Sequence, residues 1–253
     1  MSNPYTKYRA IVFDLDGTAI ANSPHAMPSA KLINTILQYR NRIHLIAATG
    51  RPAHYAMPVI NALQLTNLCI ISGGAILIEP QSHEVVKSTT LPPKAVHEIL
   101  RLVNDRPYRL FFRDEIIGSK VAAIHTPITE DVEIIYIAMV PASESQSLQQ
   151  ALDAIPDVSA SAVPDWSGSG FAFNVTHQAA TKEHAVSEAL SRIGVASEQT
   201  IGVGDGANDL HLFRSVGLKV AMGNAAAELK AAADIIAPTV DEDGLAEIIE
   251  RYA

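Results

Sequence analysis

Two short stretches concentrate residues able to do chemistry. The first, "DLDGT", sets Asp14 and Asp16 two positions apart and follows them with Gly17 and Thr18; the second, "GDGAND", supplies Asp205, Asn208 and Asp209. Between them stand "TGR", with Thr49, Gly50 and Arg51, and an amine at Lys182 in "ATKEH". Carboxylates gathered in one place repel unless a cation sits among them. Mg2+ suits such a set, because it takes hard oxygen ligands and fills its octahedron with water and a substrate phosphate. Other readings fit less well. Gly202, Gly204 and Gly206 do not follow a G-x-G-x-x-G fingerprint, and the loop lacks the oxygen ligands and terminal glutamate of an EF-hand. The nine histidines are scattered singly, with no pair at zinc-binding spacing.

For these groups to meet, the elements that carry them must bring strand ends and a helix start to one edge of a sheet. Short apolar runs alternate with helix-period segments, the pattern of a Rossmann-like parallel α/β sheet flanked by helices. Strand-like runs are "AIVF" (10–13), "HLIAA" (44–48), "LCIIS" (68–72), "TIGV" (200–203), "LKVAM" (218–222) and "DII" (234–236). Helical spacing appears in Leu32, Ile33, Ile36 and Leu37, and again in Ala185, Val186, Ala189, Leu190 and Ile193. Ligands of open parallel sheets bind beyond the carboxyl ends of the strands. Asp14 and Asp16, Thr49 to Arg51, and Asp205 to Asp209 fall at those ends, and Lys182 stands at the start of the helix that re-enters the sheet. The middle of the chain reads differently, with a hairpin around "PQSH", a helix bearing Val96, Ile99, Leu100 and Val103, strands "YRLFF" and "EIIYIAMV", a helix over 142–154, and strands "DVSASAV" and "FAFNV". These predict an inserted α+β cap at 82–177, between core segments 1–81 and 178–253.

The order DLDGT, Thr49, Lys182, GDGAND resembles the motifs of the haloacid dehalogenase superfamily of phosphohydrolases. The stretch "IGVGDGANDLHLFRSVGLKVAMGNAAAELKAAAD" is similar to its Cof-type branch, which carries a large α/β cap of type IIB after the third core strand. The resemblance implies Asp14 as nucleophile, Asp16 as general acid/base, and Thr49 and Lys182 as the phosphate-binding hydroxyl and amine. It also implies Asp205 as a magnesium ligand, with Asn208 and Asp209 supporting metal and phosphate. Together these readings assign Asp14, Asp16, Asp205 and Asp209 to Mg2+, and Thr49, Gly50, Arg51, Lys182 and Asn208 to phosphate or substrate. For Arg51 a salt-bridging role is the alternative. "TGR" stands where many relatives have "SGR", which keeps the hydroxyl; "SGG" after the third strand replaces a frequent "NGA". In the cap, Arg113, His125, Trp166 and the "GSG" loop are candidates to meet a leaving group, with a structural role as the alternative for each.

The activity implied is a Mg2+-dependent phosphatase acting on a small phosphorylated metabolite, a sugar phosphate or a phosphorylated cofactor. A phosphosugar mutase and a non-catalytic phosphate-binding or signalling module stand as alternatives. A net charge of −8 argues against nucleic acid or an anionic membrane as partner, since phosphate backbones require a basic footprint. The single cysteine, Cys69, forbids an internal disulfide and suits a reducing cytosol. No apolar run reaches the ~18 residues of a membrane helix, so a soluble cytoplasmic protein is expected. The sequence assigns no oligomeric state.

Overall fold

The computed structural model describes residues 7–103, 106–112, 115–119, 131–165 and 170–253. The first segment supplies β1 (Ala10–Phe13), α1 (Ala30–Tyr39), β2 (His44–Ala47), α2 (Ala53–Ala62), β3 (Cys69–Ile71), β4 (Ile76–Ile78) and β5 (Val85–Ser88). There follow α3 (Pro93–Leu102), β6 (Tyr108–Phe112), β7 (Glu115–Ser119), β8 (Ile134–Val140), α4 (Ala142–Asp153), β9 (Val158–Pro164) and β10 (Phe171–His177). The chain closes with α5 (Lys182–Ile193), β11 (Thr200–Gly204), α6 (Leu210–Phe213), β12 (Leu218–Ala221), α7 (Ala227–Ala232), β13 (Ile235–Ile236) and α8 (Gly244–Tyr252).

The main sheet is parallel, in the order β13-β12-β11-β1-β2. All four residues of β1 are buried, which explains its uninterrupted apolar run: helices cover both faces. Ile11 and Phe13 join one apolar cluster with Ile36, Leu45 and Ile249, while Ala10 and Val12 join another with Val186 and Leu190. From β1 the chain proceeds to β2 on one side and, much later, β11 arrives on the other. The crevice at such a reversal of strand order is where open sheets hold their ligands. β3 attaches to this sheet through one parallel bridge, Ala48 to Ile70, and otherwise pairs antiparallel with β4, which in turn pairs with β5. The run 68–72 is therefore less a full member of the parallel sheet than its composition suggests. Its other edge is committed to the hairpin.

A second sheet is antiparallel, in the order β7-β6-β8-β10-β9. α3 and α4 cover one face, where Val96, Ile99, Leu148 and Leu152 cluster with Leu110, Ile135, Ile137, Phe173 and Val175. The strand β7 was not foreseen between "YRLFF" and "EIIYIAMV"; it pairs with β6 across an irregular register. Because side chains alternate across a strand, the opposite face carries the intervening residues. Ser161, Asn174, Tyr136 and Arg109 lie side by side in register there across four strands. This face meets the ends of the parallel strands: Arg109 Nη1 donates to the Tyr55 hydroxyl at 2.6 Å, and the rings of Tyr55 and Phe111 stand edge to face at 6.5 Å. Arg113, His125, Trp166 and most of the "GSG" loop lie outside the described residues.

Candidate active site

Asp14 follows β1 and is tied to its neighbour strand by its N–H, which donates to the Val203 carbonyl at 3.0 Å. Lys182 opens α5, whose N-cap is Thr181; the Thr181 hydroxyl accepts the His184 N–H at 3.2 Å. A cation at a helix N-terminus opposes the helix dipole, so this position needs compensating charge. It has two carboxylates. Lys182 Nζ donates to Asp14 Oδ1 at 2.7 Å and to Asp209 Oδ1 at 2.6 Å, with all three side chains buried. Asp209 uses its other oxygen to close the "GDGAND" turn, accepting the N–H groups of Asp205 at 3.0 Å and Gly206 at 3.1 Å.

Asp205 completes a triad: one carboxylate oxygen from each of Asp14, Asp205 and Asp209 lies within 4.8 Å of the others. Its approach requires Gly17. That residue has φ +69°, and a Cβ there would lie 2.0 Å from Asp205 Oδ2. One ammonium cannot neutralise three carboxylates. Burial, opposed by Lys182 and reinforced by Asp209, Asp205 and Asp16, holds Asp14 well above the usual carboxylate range. Burial and then the Asp209 charge push Asp205 up to about 7. Burial works to lower the Lys182 pKa, and the paired Asp14 and Asp209 overrule it, so the amine is held above its ordinary value. The cluster is short of positive charge and rich in hard oxygen donors, which is the set that fits Mg2+.

Asp16, expected as a fourth metal ligand, turns both carboxylate oxygens to Arg51, at 2.8 Å from Nε and 2.5 Å from Nη2. Arg51, expected at phosphate or substrate, is buried against that carboxylate. Thr49 is fully buried and its hydroxyl accepts the Arg51 N–H at 3.1 Å. Gly50, Arg51 and Asn208 line a cavity of about 450 Å³ together with Asp14, Asp16 and Asp205. Its roof comes from the second sheet, through Tyr136, Ala162, Val163, Pro164, Phe171 and Asn174. Asn174 sits against Gly50, where a Cβ would stand 2.9 Å from Asn174 Nδ2.

Three of these residues escaped the reading of the sequence. Asn224 also lines the cavity; its Nδ2 donates to the Gly17 carbonyl at 2.8 Å and its Oδ1 accepts the Val240 N–H at 2.9 Å. It follows strand β12, so the rule that polar residues after strands are informative, carried one strand further, finds it. Tyr136 and Asn174 have no such signal. Only the register of the antiparallel sheet turns them toward the cavity.

The profile of the haloacid dehalogenase-like hydrolases matches residues 11–136 and 112–249, and the chain belongs to that family. Phosphatase YwpJ of Bacillus subtilis is 24% identical over 301 residues, covering 96% of this chain and 99% of that protein. A haloacid dehalogenase-like hydrolase from Bacteroides thetaiotaomicron superposes with a TM-score of 0.76 at 25% identity, covering 97% of this chain and 100% of that one. A sugar phosphatase of HAD subclass IIB shares the fold at a TM-score of 0.77 and 22% identity, with 96% and 98% covered. The chain is thus an enzyme of the phosphatase type within this family. Among the described residues, no helix is long and apolar enough to cross a membrane.

Proposed function

We propose that this protein is a Mg2+-dependent phosphatase that hydrolyses a small phosphorylated metabolite through an aspartyl-phosphate on Asp14. The observation that carries this reading is the cluster of Asp14, Asp205 and Asp209, two of them bonded to the buried Lys182 amine, at the edge of a cavity large enough for a small phosphate ester. Asp14, Asp205 and Asp209 would hold Mg2+, which supplies positive charge to the phosphoryl oxygens. Lys182, Thr49, the backbone of Gly50 and Asn208 bind those oxygens. Asp14 attacks phosphorus; the bond to the leaving oxygen breaks, and that oxygen takes a proton from Asp16. Water then cleaves the Asp14–phosphorus bond and gives its proton back to Asp16.

The roof is apolar apart from Tyr136 and Asn174, and among its described residues it holds no charged side chain. Such a wall suits a neutral leaving group with hydroxyls, which supports a sugar phosphate or a phosphorylated cofactor as substrate. The name of the subclass IIB sugar phosphatase with the same fold agrees with this. The reading takes residues 1–81 and 178–253 as core and 82–177 as cap, with β5 hydrogen-bonded to the core-side strand β4 at the crossing. It places the protein in the cytoplasm, where its lone thiol stays reduced.

The test is inorganic phosphate release from a panel of sugar and cofactor phosphates, with Mg2+ and with chelator, for wild type and Asp14→Asn. Release should require Mg2+ and vanish in the variant while its thermal melt stays native. Normal release by Asp14→Asn would remove the nucleophile, and phosphate returned to the sugar rather than to water would make the enzyme a mutase.

A further inference from the structure

Arg51 is the most heavily engaged side chain in the site, and its partners define its task. Its side chain is only 2% exposed, against 23% for that of Asp16. A guanidinium has five N–H donors in a fixed fork. Here Nε and Nη2 grip the two oxygens of Asp16, Nη2 also donates to the Ser23 carbonyl at 2.6 Å, and Nη1 donates to the carbonyls of Pro24 at 3.4 Å and Tyr55 at 3.3 Å. Every direction of the fork is engaged within the protein.

We infer that Arg51 is a positioning residue for the hydrolytic half of the reaction, holding the Asp16 carboxylate aimed at the water that cleaves the aspartyl-phosphate. The inference rests on the roles proposed above for Asp14 and Asp16. A bidentate fork fixes the plane of a carboxylate as a single hydrogen bond does not. Each Asp16 oxygen keeps a lone pair beyond the one given to Arg51, and the group still borders the cavity it shares with Asp14. In the step it serves, the water oxygen bonds to phosphorus, the bond from phosphorus to the Asp14 oxygen breaks, and that electron pair returns to Asp14. The water proton passes to Asp16, and Arg51 keeps its charge throughout. A phosphate ligand would do something else: it would tighten substrate binding and assist the first transfer as much as the second.

The two roles separate in a rapid-quench experiment with p-nitrophenyl phosphate and Mg2+. The burst of p-nitrophenol reads formation of the phosphoenzyme, and the steady state reads its hydrolysis. Arg51→Gln should retain the burst, leave KM no higher, and slow the steady state by roughly 10- to 100-fold, the cost of a misaimed catalytic group. Arg51→Lys keeps the charge and loses the fork; it should show the same pattern with a native melting temperature. A raised KM with burst and steady state slowed together would assign Arg51 to phosphate instead and overturn the inference. So would a loss of both phases in proportion to the unfolded fraction seen by circular dichroism. Asp16→Asn separates this from failure of the underlying reading. If that variant accumulates phosphoenzyme and the Arg51 variants do not, only the role of Arg51 falls; if it hydrolyses phosphoenzyme normally, the role of Asp16 falls and the clamp loses its purpose.

Discussion

At the scale of single residues, the site is a problem in counting charge. Three carboxylates crowd together while Lys182 bonds only two of them, Asp14 and Asp209, and the approach of the third, Asp205, depends on glycine where a Cβ would collide. Gly17→Ala tests this directly. An alanine in the left-handed region costs about 1–2 kcal/mol, and its Cβ would push Asp205 out of the triad. The Mg2+ concentration needed for half-maximal phosphate release should rise by about 10- to 100-fold, as it does when the support of a metal ligand is lost. An unchanged Mg2+ titration would mean that Asp205 does not hold the ion. The sequence showed these residues plainly, since Asp14, Asp16, Asp205, Asp209 and Lys182 stand in motifs of fixed spacing. It did not show which carboxylate belongs to which cation. Arg51 takes Asp16 and Lys182 takes Asp14 and Asp209, leaving Asp205 to neither, and that division depends on distances across 35 and 168 positions of chain.

At the scale of elements, the decisive joint is where "SGG" after β3 meets the start of α5. Gly74 has φ +112°, and a Cβ there would stand 2.5 Å from the carbonyl carbon and oxygen of Thr181 and 3.0 Å from the Lys182 nitrogen. All three are backbone atoms, which cannot swing aside. Gly74→Ala should therefore displace the helix start that carries the Lys182 amine. A loss of about 2 kcal/mol would lower Tm by roughly 4–8 °C in a chain of this size, and kcat should fall at least about tenfold with it. A variant with a native Tm and full kcat would show that this joint does not position Lys182. Strand and helix positions were legible because burial on both faces of the parallel sheet leaves continuous apolar runs and the helices keep a 3.6-residue period. β7 escaped, and so did the hairpin commitment of β3, because pairing partners are not written into the composition of a short strand.

At the scale of the whole molecule, the cavity exists only because two sheets face each other. The parallel sheet supplies the charged floor and the antiparallel sheet a roof with two polar side chains, Tyr136 and Asn174. If these meet the leaving group, Asn174→Ala and Tyr136→Phe should reorder kcat/KM across a panel of sugar phosphates by roughly three- to tenfold, the value of one hydrogen bond. The burst with p-nitrophenyl phosphate, which offers no hydroxyls, should change little. A uniform loss across all substrates would show instead that the pair holds the cap in place.

The sequence by itself determined the α/β core and displayed the motif residues, because apolar period, strand-end polarity and motif spacing are local properties. Tertiary structure alone decided that Asp16 is gripped by Arg51 rather than sharing the triad of Asp14, Asp205 and Asp209. It alone turned Tyr136 and Asn174 toward the cavity. Both outcomes depend on which groups meet across distant segments, where burial and unpaired charge leave few arrangements with every partner satisfied.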